Sequence, residues 1–149
     1  MNKEVRSWIL KDYEDYITVK HLLSLPDDEI PTSAVCFHSQ QFVEKMLKAF
    51  LVFHRVSFGR WHNLAILKKL CSEIDEDFKK LDLESLSIYA VEVRYPEEFF
   101  IPSVKEAREC FDVMETVKEF MFEKFDINEK IVKKWIREER RLEEKGEYE

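Results

Sequence analysis

Apolar residues recur at helical spacing along most of the chain, and residues 31–55 show this pattern over its greatest length. One broad arc of that segment is apolar and is formed by Cys36, Phe42, Val43, Met46, Leu47, Phe50 and Phe53. Thr32 or Ser33 can cap the N-terminus, and Pro31 sits where a missing amide donor has little effect. The pattern predicts a long amphipathic helix whose apolar arc lies in the core.

The same periodicity predicts further helices over residues 3–24, 64–74, 83–93, 104–125 and from 128 onward. Asn63 and Ser103 are suitable caps, and Glu106 completes a capping box with Ser103. Only two glycines and four prolines interrupt the chain. We expect an all-α fold, an antiparallel up-and-down helical bundle of four to five helices over residues 1–126. Residues 127–149 form a charged C-terminal helical extension that packs on the bundle or on a second subunit.

A polar row lies opposite the apolar arc of the long helix and consists of His38, Gln41, Lys45 and Lys48. Lysines offer point charges for phosphate, and the histidine and glutamine can hydrogen-bond a base, sugar or phosphate. A solvated face is the alternative interpretation. We favour a ligand-binding row because glutamates dominate the other exposed faces, whereas this arc carries mainly nitrogen donors.

Four residues on other helices bear on this row. Arg94 can make a bidentate contact with phosphate, and Tyr95 can stack on a base, which together with the row would form a groove. On the first helix, Asp12 lies inside the apolar arc and Asp15 lies at its edge. The favoured interpretation is that Asp12 escapes to solvent at a helix boundary; the alternative is that it faces a basic row on a neighbouring helix.

Composition narrows the function classes. The net charge of −7 argues against broad non-specific nucleic-acid binding but leaves room for a local basic patch. Cys36, Cys71 and Cys110 fall at helical apolar positions without a CxxC pair, which predicts reduced core thiols in a cytoplasmic protein. No apolar run is long enough to predict a membrane span. Two glutamines and three asparagines among many Lys and Glu suggest a thermophilic source.

The motifs that carry most cofactor chemistry are absent from the sequence. The four histidines have no metal-ligand spacing such as HExxH, so no metal site is predicted. There is also no glycine-rich phosphate loop, which argues against a kinase or ATPase fold. We therefore predict no cofactor.

Three strings in order resemble one family. CFHSQQFVEKMLKAFLV resembles the signature helix of HEPN domains, written F-H-x-Q-Q-x-x-E-K-x-L-K-A. The string RWHNL at residues 60–64 resembles the family's R-x-H-D-L segment, with Asn63 where Asp is usual. VRYP at residues 93–96 resembles its R-Y-P segment. The resemblance covers roughly residues 3–125.

This resemblance implies a bundle of antiparallel helices that forms a homodimer and binds nucleotide or nucleic acid. It also implies a small nucleotidyltransferase partner in a two-protein module of the toxin–antitoxin kind. The matched positions are Phe37, His38, Gln40, Gln41, Glu44, Lys45, Lys48, Arg60, His62, Arg94 and Tyr95. Our main hypothesis is a binding subunit without catalytic activity of its own.

Two alternatives stay open. Many HEPN proteins are ribonucleases with an Arg-x(4–6)-His motif, and Arg55 and His62 satisfy that spacing. In such a metal-independent endoribonuclease the histidine acts as general acid–base and the arginine stabilises the phosphate's developing charge. Alternatively, His62 only braces the start of the third helix. The second alternative is a protein-interaction scaffold whose groove holds the partner protein.

Overall fold

Five α-helices account for most of the chain in the computed structural model, which describes residues 1–60, 63–90 and 100–146. They are α1 (Lys3–Leu23), α2 (Thr32–Phe53), α3 (Leu64–Ile74), α4 (Val104–Phe125) and α5 (Glu129–Glu144). Short 3-10 helices occupy Asp27–Glu29, Glu76–Lys80 and Glu84–Tyr89, and no strand occurs in the described ranges. The predicted all-α bundle is confirmed.

Contacts between side chains give the direction of each long helix. Trp8, near the start of α1, contacts Phe58 beyond the end of α2, with ring centroids 6.2 Å apart. Tyr16, farther along α1, contacts Phe42 within α2 at 5.9 Å. Because early residues of α1 meet late residues of α2, the two helices are antiparallel.

The fourth helix runs in the same direction as the second. The Sγ atoms of Cys36 and Cys110 lie 3.1 Å apart near the two N-terminal ends. The rings of Phe50 and Phe125 lie 6.3 Å apart near the two C-terminal ends. This parallel pairing of alternate helices is what an up-and-down bundle requires.

Helix α2 is the centre of the core, since it packs against α1, α3, α4 and the 3-10 helix at Glu84–Tyr89. Its apolar arc is buried as predicted, except that Phe53 is exposed at the end of the helix. The thiol of Cys71 on α3 contacts the carbonyl oxygen of Leu47 at 3.6 Å. Cys36, Cys71 and Cys110 are free and buried, which confirms their predicted place in the core.

The segment at 83–93 differs from the prediction. In place of an α-helix, the described part forms a 3-10 helix at Glu84–Tyr89. Leu83, Leu86 and Tyr89 are buried and lie three residues apart, a spacing that shares one face in a 3-10 helix as well as in an α-helix. The apolar pattern alone therefore could not distinguish the two.

The structure contains the predicted helix cap in two of three places. Asn63 caps α3, and Ser103 with Glu106 forms the predicted capping box of α4. The prediction that Thr32 or Ser33 caps α2 was wrong. Pro31 occupies the N-cap position, Thr32 is already helical, and no side chain caps the helix. A loop that ends in proline leaves no room for a polar cap before the first turn.

Helix α5 lies antiparallel to α1. Val132 is fully buried, and Arg6 both pairs with Glu138 at 3.1 Å and covers the Trp135 ring at 4.6 Å. In this structure the C-terminal helix thus contacts the bundle itself. None of the described helices combines the length and apolar character needed to cross a bilayer.

Candidate functional site: a polar seam between α1 and α2

Asp15 of α1 holds two members of the polar row on α2. Its Oδ1 lies 2.7 Å from Nδ1 of His38, and its Oδ2 lies 2.7 Å from Nζ of Lys45. A carboxylate only accepts hydrogen bonds, so Nδ1 of His38 is the protonated ring nitrogen. The side chains of His38 and Lys45 keep 29% and 31% of their exposure, whereas that of Asp15 keeps 10%. One buried anion therefore fixes two partly exposed donors.

The remaining members of the row form a chain of hydrogen bonds along α2. Gln41 donates to Gln40 at 2.7 Å, and Gln40 donates to Glu44 at 3.2 Å. Lys48 donates to the other oxygen of Glu44 at 3.0 Å. The side chains of Lys48 and Glu44 are only 9% and 3% exposed. Lys48 is thus part of a buried ion pair and does not present its charge to solvent.

Asp12 extends the cluster into the core. It is completely buried, and neither of its carboxylate oxygens has a hydrogen-bond partner among the described residues. Burial, reinforced by the charges of Asp15 and Glu44, raises the pKa of Asp12 well above its usual value, while Lys45 acts in the opposite direction. The favoured interpretation from sequence, that Asp12 escapes to solvent, was wrong, because its side faces the α2 row.

We define the polar seam as Asp12 and Asp15 of α1 with His38, Gln40, Gln41, Glu44, Lys45 and Lys48 of α2. Lys45 and Lys48 pair with the carboxylates of Asp15 and Glu44, so the charges of these two pairs balance, and the pKa of Asp12 is raised. Nε2 of His38 and the remaining N–H groups of Lys45 are not used by Asp15. The ammonium group of Lys45 can donate to an external acceptor, and Nε2 of His38 can accept from an external donor, without breaking the internal pairs.

A small cavity opens beside the seam. It has a volume of about 200 Å³ and is lined by Glu4, Ser7, Trp8, Lys11 and Lys45. An aromatic wall, a hydroxyl group, a carboxylate and two ammonium groups suit a planar polar group more than an apolar one. Lys45 is the residue that the cavity shares with the polar seam.

Of the remaining predicted site residues, the structure describes Arg55 but not His62, Arg94 or Tyr95. Arg55 lies just beyond α2, is exposed, and adopts a left-handed backbone with φ 59°. His62, Arg94 and Tyr95 lie outside the described residues, so the predicted groove and the pairing of Arg55 with His62 stay predictions. Among the residues that the structure does describe, no group of His, Cys, Asp and Glu side chains is arranged to hold a metal ion.

Sequence reasoning found the row on α2 but missed its anchor. Asp15 was placed at the edge of an apolar arc, and nothing along one helix identifies the residue opposite it. The available signal was the pair Asp12 and Asp15, three residues apart on the side of α1 that also carries buried Tyr16 and Val19. Two acids on a core-facing side indicate a cationic surface on the helix that packs there.

Comparison with known proteins defines the class. The HEPN domain family matches residues 5–125, which contain the whole polar seam. The chain therefore belongs to the HEPN domain family, and the predicted resemblance is confirmed. A Methanocaldococcus jannaschii protein named "Putative toxin MJ1304" is 29% identical over 147 residues, covering 85% of this chain and 94% of that protein. No solved structure matches the chain.

Proposed function

We propose that the chain is the nucleotide- or nucleic-acid-binding subunit of a two-protein, toxin–antitoxin-like module. The observation that carries the proposal is the pair of donors that Asp15 holds, His38 Nδ1 and Lys45 Nζ, each 2.7 Å from a carboxylate oxygen. Fixing both side chains before a ligand arrives reduces the entropy that binding must overcome. The unused nitrogens would contact the ligand, with Gln41 beside them on the same face.

The similarity to a protein named as a toxin supports the module, and the HEPN family supports the kind of partner. The partner in this proposal is a small nucleotidyltransferase, and the HEPN chain acts as a homodimer beside it. Arg94 and Tyr95 would complete the groove, with the guanidinium on a phosphate and the phenol ring on a base. Co-expression with a small nucleotidyltransferase encoded in the neighbouring reading frame tests the partnership by co-purification.

Ligand binding is tested by titrating the purified protein with ATP, GTP and a short RNA. We expect binding that weakens in His38→Ala and in Lys45→Ala by about tenfold, since each removes one hydrogen-bonding contact to the ligand. Lys133→Ala is the matched control, because Lys133 is an exposed lysine on α5. Absence of binding to all three ligands, or equal binding by the Lys45 and Lys133 variants, would contradict the proposed site.

The endoribonuclease is the second candidate, and the exposure of Arg55 favours keeping it. Its guanidinium is accessible at the C-terminal end of α2, where the amide of Val56 bonds the carbonyl of Leu51 at 2.9 Å and stabilises the left-handed turn. Incubation with RNA in EDTA decides between the candidates. Cleavage that is lost in both Arg55→Ala and His62→Ala supports the nuclease, whereas intact RNA with retained binding supports the binding subunit. A protein that binds its partner but neither nucleotide nor RNA would be the scaffold.

A further inference from the structure

A second charged region lies on the opposite side of α2 from the polar seam. Helix α3 and the residues after it enclose a cleft of about 530 Å³. Four lysines line it, namely Lys68, Lys69, Lys79 and Lys80, and we call it the cationic cleft. The volume lies within the range of small-molecule binding sites, roughly 300–1,000 Å³.

These lysines have weaker acidic partners than the lysines of the seam have. Within the described ranges, no acidic side chain lies at salt-bridge distance from Lys68 or Lys69. Lys79 approaches Glu76 only to 3.6 Å, and both side chains are mostly exposed, 66% and 88%. Such an exposed pair contributes little, so a stronger anion can displace it.

Lys80 shares its only acidic partner in the described structure with a closer cation. It lies 3.5 Å from Asp77, whereas Nζ of Lys124 on α4 lies 2.6 Å from the same carboxylate and 2.7 Å from that of Asp75. Lys124 thereby neutralises the nearest acids from the α4 side. Lys80 is left with a weak pair and a largely exposed ammonium group.

The described lining is net positive in an acidic protein. Four lysines face Asp82 and Glu84, a difference of +2, in a chain whose overall charge is −7. A local excess of cations in a concave surface focuses potential and attracts anions. The chain thus contains one of the local basic patches that its net charge still allowed.

The cleft also has an apolar floor. Leu64, Leu81 and Leu83 line it and are otherwise buried, and Ser72 and Ser87 add hydroxyl groups. Apolar contact area together with several ammonium groups fits a ligand that combines a flat organic part with phosphates. A purely hydrophobic ligand would leave the lysines unused, and a bare inorganic ion would leave the floor unused.

We propose that the cationic cleft binds the phosphates of a nucleotide, either as a free nucleoside polyphosphate or within an RNA chain. This site is separate from the polar seam. Leu47, which faces α3, and Lys45, which reaches Asp15 on α1, are two residues apart and so roughly 200° apart around α2. A single small ligand cannot occupy both, and the inference does not depend on binding at the seam.

The test is titration of the full chain with ATP, adenosine, inorganic triphosphate and an RNA hexamer. Three matched double variants are compared: K68Q/K69Q and K79Q/K80Q in the cleft, and K133Q/K134Q on the exposed face of α5. Each removes two neighbouring positive charges, and glutamine keeps most of the helix propensity of lysine. We expect the cleft variants to weaken binding by about tenfold or more and the α5 variant to change it little.

The ligands identify the source of the phosphates. Tighter binding of ATP than of adenosine, with loss of affinity at higher salt, supports phosphate recognition. RNA that binds more tightly than ATP, with the same dependence on the cleft lysines, assigns the phosphates to RNA. Adenosine that binds as well as ATP overturns the inference, as does failure of every phosphate-bearing ligand to bind.

Further outcomes separate the cleft from the seam. Binding that is lost in His38→Ala or Lys45→Ala but unchanged in the cleft variants overturns the cleft and supports the seam. Equal weakening by K133Q/K134Q shows a general charge effect and also overturns the inference. If a cleft variant fails to fold, lysine acetylation of the wild-type chain replaces it. ATP should protect Lys68 and Lys69 but not Lys133, and equal modification of all three contradicts the site.

Discussion

The polar seam and the cationic cleft both contain lysines near carboxylates, yet the two regions differ in how these charges are held. In the seam, Lys48 and Glu44 are 3.0 Å apart, with side chains 9% and 3% exposed. Lys79 of the cleft and its neighbour Glu76 are 3.6 Å apart, with side chains 66% and 88% exposed. Both are pairs within one helical segment, so position along the chain does not explain the difference.

Burial decides what each pair can do. Removing one partner of a desolvated ion pair is strongly destabilising, because no water solvates the charge that remains. An exposed pair contributes little and exchanges its partner easily. The seam therefore holds side chains in fixed positions, whereas the cleft keeps its cations ready for an external anion. Lysines and carboxylates thus fix side-chain positions in the seam, whereas in the cleft the lysines can exchange their partners for an external anion.

The largest expected effect comes from Glu44→Gln in the seam. This change leaves the buried ammonium of Lys48 without its carboxylate, and we expect a loss of about 3–5 kcal/mol in the free energy of unfolding. Urea denaturation at neutral pH measures it. The double variant Glu44→Gln with Lys48→Met should recover much of the loss, and a single variant as stable as the wild type would contradict the buried pair.

The variant Asp12→Asn tests how the buried carboxyl group of the seam changes the stability of the protein with pH. The folded pKa of Asp12 is raised above the ordinary 3.8, so its favourable contribution is complete below about pH 4 and is lost as pH rises through the folded pKa. We expect the wild type to lose stability relative to Asp12→Asn over that rise, and the variant to be more stable by about 1 kcal/mol at neutral pH.

The measurement is a series of urea unfolding curves from pH 4 to pH 8 for both proteins. Asp28→Asn is the control, because Asp28 is an exposed aspartate in the loop before α2. Parallel stability profiles for the wild type and Asp12→Asn would show that Asp12 is ionised in the folded protein. That result would contradict its burial among Asp15 and Glu44.

Glu76→Gln, which removes the carboxylate beside Lys79 of the cleft, should have the smallest effect. It is the same chemical change as Glu44→Gln, made in an exposed pair, and we expect less than about 0.5 kcal/mol of lost stability. The variant should also bind ATP at least as tightly as the wild type, because Lys79 loses a competing anion. A stability loss comparable with that of Glu44→Gln would remove the contrast between the two regions.

Much of the fold follows from the sequence because long periodic segments leave few alternatives. The ranges of α1, α2, α3 and α4 agree with the apolar spacing, and Asn63 and Ser103 mark two helix starts. The 3-10 geometry of the segment around Leu86 could not be predicted from the sequence, because apolar residues three apart suit both an α-helix and a 3-10 helix. Short elements take their geometry from the surrounding chain.

The candidate site shows the same division. The row of His38, Gln41, Lys45 and Lys48 is visible in the sequence, because helical spacing alone places these residues along one side of α2. Which of them face water is not visible, and the structure leaves His38 and Lys45 partly exposed while it buries Lys48. Exposure depends on the neighbouring helix, which no pattern within α2 describes.

The sequence by itself determined the helical class, the family and the polar face of α2, because these depend on local periodicity and on contiguous strings. Only the tertiary structure decided that Asp15 anchors this face, that Asp12 is buried beside it, and that four lysines from two segments share one cleft. These relations join residues that are distant along the chain. Desolvation and pairing across helices set their energies, and both arise only when the helices pack.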